Sequence, residues 1–286
     1  MTLPMGVTGE AAGPAGYTYS AVLLRVDQRA GVGDQLLATL REVRFSGWVA
    51  PAEAGWAVVV PAGAGTVASG RRGVVGVGEA LAMRLGTGTL AVRVLDDLQL
   101  VLVGWASGRE VARYVSDPSR EPGVTEDVLP HPFGSAGSAA VATLCGKPEA
   151  GEGLDALLHE PLDPEDEIES ERLGKVLRLL ELPTWLVSAW QLPRELPTGP
   201  ARRDLLRLRA GRTGLPGWIA GRAVRLPRRW RPPPPVGTPG ALGTCPGSPP
   251  VALAPFQTGR RQQGSSSAIP GHREPRNMEE TSQCAS

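Results

Sequence analysis

The stretch TLAVRVLDDLQLVLVGWASGREVARYVSDP, residues 89–118, contains three apolar runs separated by two short polar joints. The joints are Asp96-Asp97 and Ser107-Gly108, and both consist of residue types that favour turns. Val- and Leu-rich runs of this length predict β-strands. The middle run, 98–105, is almost entirely apolar, as in a strand buried on both faces, whereas the flanking runs alternate and predict half-covered strands. The stretch therefore predicts an antiparallel meander at the centre of the core.

Upstream of this meander, the sequence predicts strands over 17–26, 45–50 and 56–60. Helices are predicted from Asp34, the expected N-cap, to Val43 and from Val74 to Leu85. The order strand, helix, strand, strand, helix, strand is the split βαβ pattern of ferredoxin-like folds. The predicted fold class is therefore α+β: a ferredoxin-like antiparallel sheet with an added β-hairpin. Because that fold serves many unrelated functions, it predicts none of them.

The sequence changes in character after residue 118. Short helical segments near 136–145 and 154–158 precede a helix whose predicted N-cap is Asp163, with Pro164 as its first residue. Apolar periodicity stops at Pro200, and Arg, Pro, Gly and Ser dominate the remainder. We expect a disordered N-terminus over 1–16, a sheet domain over 17–130, a helical extension packed on it over 131–200, and a disordered tail over 201–286.

Composition argues against several classes of protein. The net charge is +1, so the overall charge of the protein does not favour binding to nucleic acid or to a membrane. Lysine and isoleucine are rare, which indicates a GC-rich bacterial genome and makes arginine clusters weaker evidence for function. The three cysteines, Cys145, Cys245 and Cys284, are too far apart to predict a disulfide framework or a zinc site. With neither a signal peptide nor about 18 consecutive apolar residues, we expect a cytoplasmic protein without a transmembrane segment.

Few residues have the spacing that catalysis requires. The histidines are His131, His159 and His272, and no spacing among them predicts a metal site. Ser-His-Asp chemistry would have to recruit His131 or His159, and nothing in the sequence marks either one. Adjacent aspartates such as Asp96 and Asp97 are common in turns, and this interpretation is favoured over a catalytic pair. The sequence therefore predicts no catalytic residue, no metal and no cofactor.

A glycine-rich joint, 61–73, is the best candidate for an anion site. Gly63 and Gly65 begin the pattern G-x-G-x-x-A directly after an apolar strand, as in loops that approach a pyrophosphate. Arg71 and Arg72 follow, where they would meet an anion at the start of the next helix. The segment 69–73 interrupts the pattern before a helix can propagate. A flexible connector is favoured over an anion-binding loop or a dinucleotide site.

Two surfaces are candidates for partner binding. Trp105, Arg109, Arg113 and Tyr114 lie on or beside the last strand of the meander and are residue types that anchor interfaces, although the two aromatic residues also fit a core edge. Residues 149–171 hold ten carboxylates and no lysine or arginine, whereas ten arginines face only Asp204 in 201–231. The acidic run fits a solvated helix start better than a binding patch.

These observations predict a non-catalytic cytoplasmic protein that acts as an interaction or regulatory module, of which an immunity-type protein is one example. Its expected partner is an unidentified protein. One alternative is a phosphate- or nucleotide-binding enzyme that uses the loop from Gly63 to Gly73. Another is weak, non-specific contact with nucleic acid, or contact with an anionic membrane, through the arginine-rich tail.

Overall fold

The computed structural model describes residues 16–26, 31–121, 131–161, 168–230 and 233–236. These residues form an α+β fold around one antiparallel sheet, in the spatial order β6-β5-β4-β1-β3-β2-β7. The strands are β1 (Tyr19–Arg25), β2 (Gly47–Val49), β3 (Trp56–Pro61), β4 (Thr89–Leu95), β5 (Gln99–Ala106), β6 (Arg109–Val115) and β7 (Leu206–Leu208). The helices are α1 (Val32–Glu42), α2 (Val74–Leu85), α3 (Ser138–Leu144), α4 (Gly151–His159), α5 (Glu169–Leu179) and α6 (Gly214–Trp230).

The meander is confirmed, with β5 paired to β4 on one side and to β6 on the other. At both joints the backbone has positive φ: 51° and 54° at Asp96 and Asp97, and 51° and 77° at Ser107 and Gly108. Consecutive left-handed residues are what a two-residue hairpin turn requires. The expectation that β4 is half-covered was wrong, because residues 89–94 are all buried. The cause is a layer of helices on each face of the sheet.

One face of the sheet packs against α1 and α2. Their apolar residues join alternate strand residues in one cluster, which includes Val22, Leu24, Leu36, Leu40, Val77, Leu81, Val101 and Val103. The opposite face packs against α3, α4, α5 and a 3₁₀ helix, Thr184–Gln191. That second cluster includes Leu23, Leu90, Leu102, Val141, Leu154, Leu173, Val176 and Trp185. The same strands contribute residues to both clusters, since successive side chains along a strand point to opposite faces of the sheet.

Two predicted helix starts differ from the structure. The first helix begins at Val32 behind Gly31, whose φ of 78° is left-handed, so Asp34 lies in the first turn and is not the N-cap. The helix α5 begins at Glu169, because Ile168 before it has extended backbone at φ −112° and ψ 158°. Asp163 and Pro164, the predicted start of that helix, lie outside the described residues.

The segment 201–230, for which the sequence predicts disorder, contains a strand and a helix in the structure. Strand β7 pairs with β2, placing Arg207 directly opposite Trp48, and α6 follows. Two hydrogen bonds from backbone N–H groups extend the attachment: Gly211 N–H donates to the Phe45 carbonyl over 2.6 Å, and Ala210 N–H donates to the Ser46 side chain, at Oγ, over 2.9 Å. An exposed sheet edge offers unpaired backbone groups, and β7 satisfies those of β2. Within the described residues, no helix is long and apolar enough to cross a membrane.

Candidate anion-binding cleft

A cleft of about 550 Å³ lies between the glycine-rich loop and the C-terminal elements β7 and α6. Residues from 62–67 form one wall, and strand β7 and helix α6 form the other. Among the described residues that line the cleft none is acidic, and five are arginines: Arg207, Arg209, Arg222, Arg225 and Arg228. A guanidinium group presents several N–H donors in a fixed plane, which suits phosphate and carboxylate groups. We call this site the arginine cleft.

The sequence of α6 fixes how this helix sits against the strand. A side chain added at Gly217 would come within 2.3 Å of the Arg212 carbonyl oxygen, and one at Gly221 within 3.1 Å of Arg209 Cβ. These two glycines, four residues apart, lie on one face of the helix and allow close approach. Gly221 and the next residue, Arg222, both line the cleft.

Arg228 attaches the C-terminal half of α6 to the sheet region. Its Nη1 donates to Ser46 Oγ and to the Val67 carbonyl, both over 3.0 Å, and its Nη2 donates to the Arg44 carbonyl over 2.6 Å. Burial, followed by the nearby charge of Arg44, lowers the pKa of Arg228. Arg228 therefore holds the cleft together as well as lining it.

Two of the lining arginines lie over aromatic rings. The Arg207 guanidinium lies 5.3 Å from the centroid of Trp48, its cross-strand neighbour. The Arg222 guanidinium lies 4.5 Å from the centroid of Trp218, one helical turn before it. Contact with a ring face stabilises a cation and restricts its position. These contacts pre-position two guanidinium groups at the cleft.

The charges in the cleft oppose one another. Burial lowers the pKa of Arg207, and the charges of Arg209, Arg225 and Arg202 lower it further. The Nε of Arg209 is buried and has no hydrogen-bond partner among the described residues. An anion bound between these groups would reduce their repulsion and accept the hydrogen bonds that they can donate.

The structure divides the predicted anion loop into two parts. Gly63 and Gly65 line the arginine cleft, as the anion-loop hypothesis would require. Arg71 and Arg72 instead line a separate cavity of about 310 Å³, together with Glu79 and residues 233–236. Arg72 donates over 2.9 Å to the Ser69 carbonyl. The residues that could bind an anion beside the two glycines are therefore those of 207–225, not Arg71 and Arg72.

Of the four residues predicted as an interaction surface, the two aromatic ones lie in the core. Trp105 is 2% exposed and packs against Gly78 of α2, whereas Tyr114 is 2% exposed on the opposite face of the sheet. The Tyr114 hydroxyl donates to the Leu158 carbonyl and accepts from buried Arg172, both over 2.9 Å. Arg109 is exposed. Arg113 makes two hydrogen bonds, of 2.7 and 2.6 Å, with Glu110 and also donates to the Val236 carbonyl.

A serine, a histidine and an aspartate meet near the start of α3, which the sequence did not indicate. Ser135 Oγ lies 2.8 Å from His159 Nε2, and His159 Nδ1 lies 3.0 Å from the Asp155 carbonyl and 3.3 Å from its Oδ1. Ser135 is only 8% exposed. Asp155 and His159 are one turn apart on α4, so the Nδ1 contact is local to that helix. We interpret these contacts as structural, because they join the turn at Ser135–Gly137 to the end of α4.

The acidic pair of the first hairpin is also structural. Asp97 accepts a hydrogen bond of 2.7 Å from Tyr17 N–H and another from Ser170 Oγ, and Asp96 accepts from Thr18 Oγ1 over 2.5 Å. These contacts attach α5 and the start of β1 to the turn. In the described part of the chain, no group of three His, Cys, Asp or Glu residues is arranged to hold a metal ion.

Sequence analysis missed the arginine cleft because its two walls are about 140 residues apart in the chain. The available signal was the excess of arginine in 201–231, which composition alone placed in a disordered tail. Comparisons with protein-family models, with curated proteins and with solved structures found no match to this chain.

Proposed function

We propose that the protein is a non-catalytic binding module and that it recognises a phosphate-bearing group in the arginine cleft. The observation that carries the proposal is the lining itself: five arginines beside a glycine-rich loop, with no acidic residue among the described residues that line it. The buried Nε of Arg209 adds a donor without a partner in the described structure. The ligand is either a free anion or, as in the interaction-module hypothesis, a group displayed by a partner.

Phosphate suits this cleft better than a carboxylate does. Arg207 and Arg222 belong to different elements, and Gly63 and Gly65 leave backbone accessible on the facing wall. A phosphate group carries three or more acceptor oxygens and more than one negative charge, so it can meet several guanidinium groups at once. A single carboxylate satisfies one guanidinium fork.

The test is thermal unfolding of the full chain with inorganic pyrophosphate as the probe. At 100 times its dissociation constant, a ligand specific for the folded state stabilises it by about 2.7 kcal/mol. For a domain of this size, that is a shift of several degrees in Tm. The shift should disappear in the triple variant R207Q/R222Q/R225Q.

Two matched controls make the test specific. The variant R84Q/R120Q/R203Q removes three arginines outside the cleft lining, each in a surface ion pair of small energetic weight, and should keep the shift. The variant R71A/R72A should also keep it. Absence of a shift in the native chain, or loss of the shift in R71A/R72A alone, contradicts the proposal.

We also propose the ferredoxin-like assignment for residues 19–95 and a cytoplasmic location. The strand order β4-β1-β3-β2, with α1 and α2 packed on one face, supports the first. The free, buried thiol of Cys145 supports the second, since unpaired cysteines suit a reducing compartment. Neither proposal depends on the identity of the anion.

A further inference from the structure

We infer that α6 is a membrane-contact helix and that the phosphate recognised by the arginine cleft belongs to the headgroups of an anionic lipid bilayer. The inference rests on the proposed function, because it names the source of the anion. Leu215 and Ile219 are 76% and 64% exposed, the two largest values among the large apolar residues of the described chain. Trp218, 45% exposed, lies beside them.

The spacing of these three residues places them on one face of the helix. Positions 215, 218 and 219 are i, i+3 and i+4, which are neighbours on a helical surface. The opposite face is held against the protein by Gly217, Gly221 and Arg228. The apolar side chains of α6 therefore point to solvent because of how the helix is attached. An apolar patch in this position is typical of a contact surface.

Arginines surround the apolar residues. A second cavity, of about 450 Å³, is lined by Arg207, Arg209, Arg212, Gly214, Leu215 and Trp218. Apolar and cationic side chains thus lie side by side, and Arg222 stacks on the ring of Trp218. A helix that lies in the bilayer interface needs this combination: aliphatic groups for the acyl boundary, tryptophan at headgroup depth, and arginine for lipid phosphates.

Nucleic acid is the other large polyanion that arginines bind, and the exposed residues do not favour it. Contacts to a nucleic acid backbone are made by charged and polar groups, and only the aromatic ring of Trp218 could stack on a base. Leu215 and Ile219 would remain in water in such a complex. A bilayer removes both from water and also satisfies the arginines.

The experiment is flotation of the full chain with lipid vesicles. One set contains phosphatidylcholine alone, and the other contains about 30% phosphatidylglycerol as the anionic lipid. We expect binding to the anionic vesicles only, and weaker binding as salt is added, because salt screens the headgroup charge. The variant L215S/I219S should bind at least about tenfold more weakly, because it lacks the two most exposed aliphatic side chains of α6.

A control variant and the pyrophosphate measurement separate the outcomes. Met83→Ser removes an apolar side chain of similar exposure, 60%, from α2 and should leave vesicle binding unchanged. The serine variant should keep the pyrophosphate shift, because neither Leu215 nor Ile219 lines the arginine cleft and Trp218 still holds Arg222 there. Loss of vesicle binding with a retained shift supports the inference.

Three results overturn the membrane assignment. Equal vesicle binding by the serine variant and the native chain does so, as does binding to DNA but not to vesicles. In both cases, a rise in Tm with pyrophosphate would still support the proposed function. Absence of both vesicle binding and a pyrophosphate shift overturns the two proposals together.

Discussion

The sheet region, residues 19–115, and the arginine-rich segment, 202–230, are both ordered, but different interactions order them. In the first region, strands and helices bury apolar residues on both faces of the sheet. In the second, only Leu205 and Leu208 of the residues described join these apolar clusters, and a three-residue strand and the hydrogen bonds of Arg228 complete the attachment. Extensive apolar burial stabilises the first region. The second region docks through fewer contacts, and its outer face stays accessible to a ligand.

The largest difference between the regions should appear in leucine truncations. Leu102 in β5 is 1% exposed, so Leu102→Ala should lower the free energy of unfolding by about 2–5 kcal/mol through lost burial and a cavity. Leu206 in β7 is 37% exposed, and Leu206→Ala should cost less than about 1 kcal/mol. Chemical denaturation measures both. Equal losses would show that the Leu206 side chain is as buried as that of Leu102.

Removing the Arg228 anchor should release the segment while the sheet stays folded. The change Arg228→Met deletes three hydrogen bonds from a cation, and we expect about 1.5–3 kcal/mol less stability for the docked state of α6. Limited trypsin digestion should then cut faster at Arg222 and Arg225. Arg203→Met, which removes an exposed arginine, is the control and should not accelerate cleavage.

Alkaline pH should weaken the apolar cluster to which Cys145 and Tyr114 belong. Burial raises the pKa of the Cys145 thiol and of Tyr114 to about 12 each. Between their ordinary values and about 12, the native protein keeps protons that the unfolded chain has lost. Stability should therefore fall as pH rises, by about 1.4 kcal/mol per pH unit for each group.

Denaturation midpoints measured at several pH values above about 9 test this expectation. The variant Cys145→Ala removes one of the two groups and should make the decline shallower. Stability that rises over this range, or a slope unchanged in the variant, would contradict the assignment of a buried, protonated thiol.

The smallest effect concerns Ser135. Ser135→Ala removes the hydrogen bond to His159 and should lower the free energy of unfolding by about 0.5–1.5 kcal/mol. The native chain should hydrolyse p-nitrophenyl acetate no faster than the variant, because we assign the contact to structure. A saturable esterase activity that disappears in the variant would show that the Ser135, His159 and Asp155 group is catalytic.

The parts of the fold that sequence predicted well are those with local patterns. The helix over 74–85 has the predicted limits, and the middle strand of the meander matches its predicted run to within one residue at each end, because apolar spacing and turn residues are contiguous in the chain. Strand β7 is too short to show periodicity. Helix α6 contains Gly217, Gly221 and Pro227, which lower helix propensity, so tertiary contact decides its structure.

The candidate site was predicted in part. Gly63 and Gly65 were chosen for their pattern and do line the cleft. Arg71 and Arg72 were chosen because they are adjacent in sequence, but the turn at 69–73 carries them to another cavity. Arg207 and Arg222 reach the glycines only through pairing of β7 with β2, which joins segments that no local pattern connects.

Hydrogen exchange of the full chain tests the central claim, that residues 206–228 dock on the sheet and form an anion-binding cleft. Amides of β7 and α6 should be protected in the free protein, and pyrophosphate should slow their exchange further. In Gly217→Val, whose side chain would clash with the Arg212 carbonyl, both effects should be lost while β4 and β5 stay protected. Exchange of 206–228 at the rate of an unstructured peptide, with and without pyrophosphate, would contradict the claim.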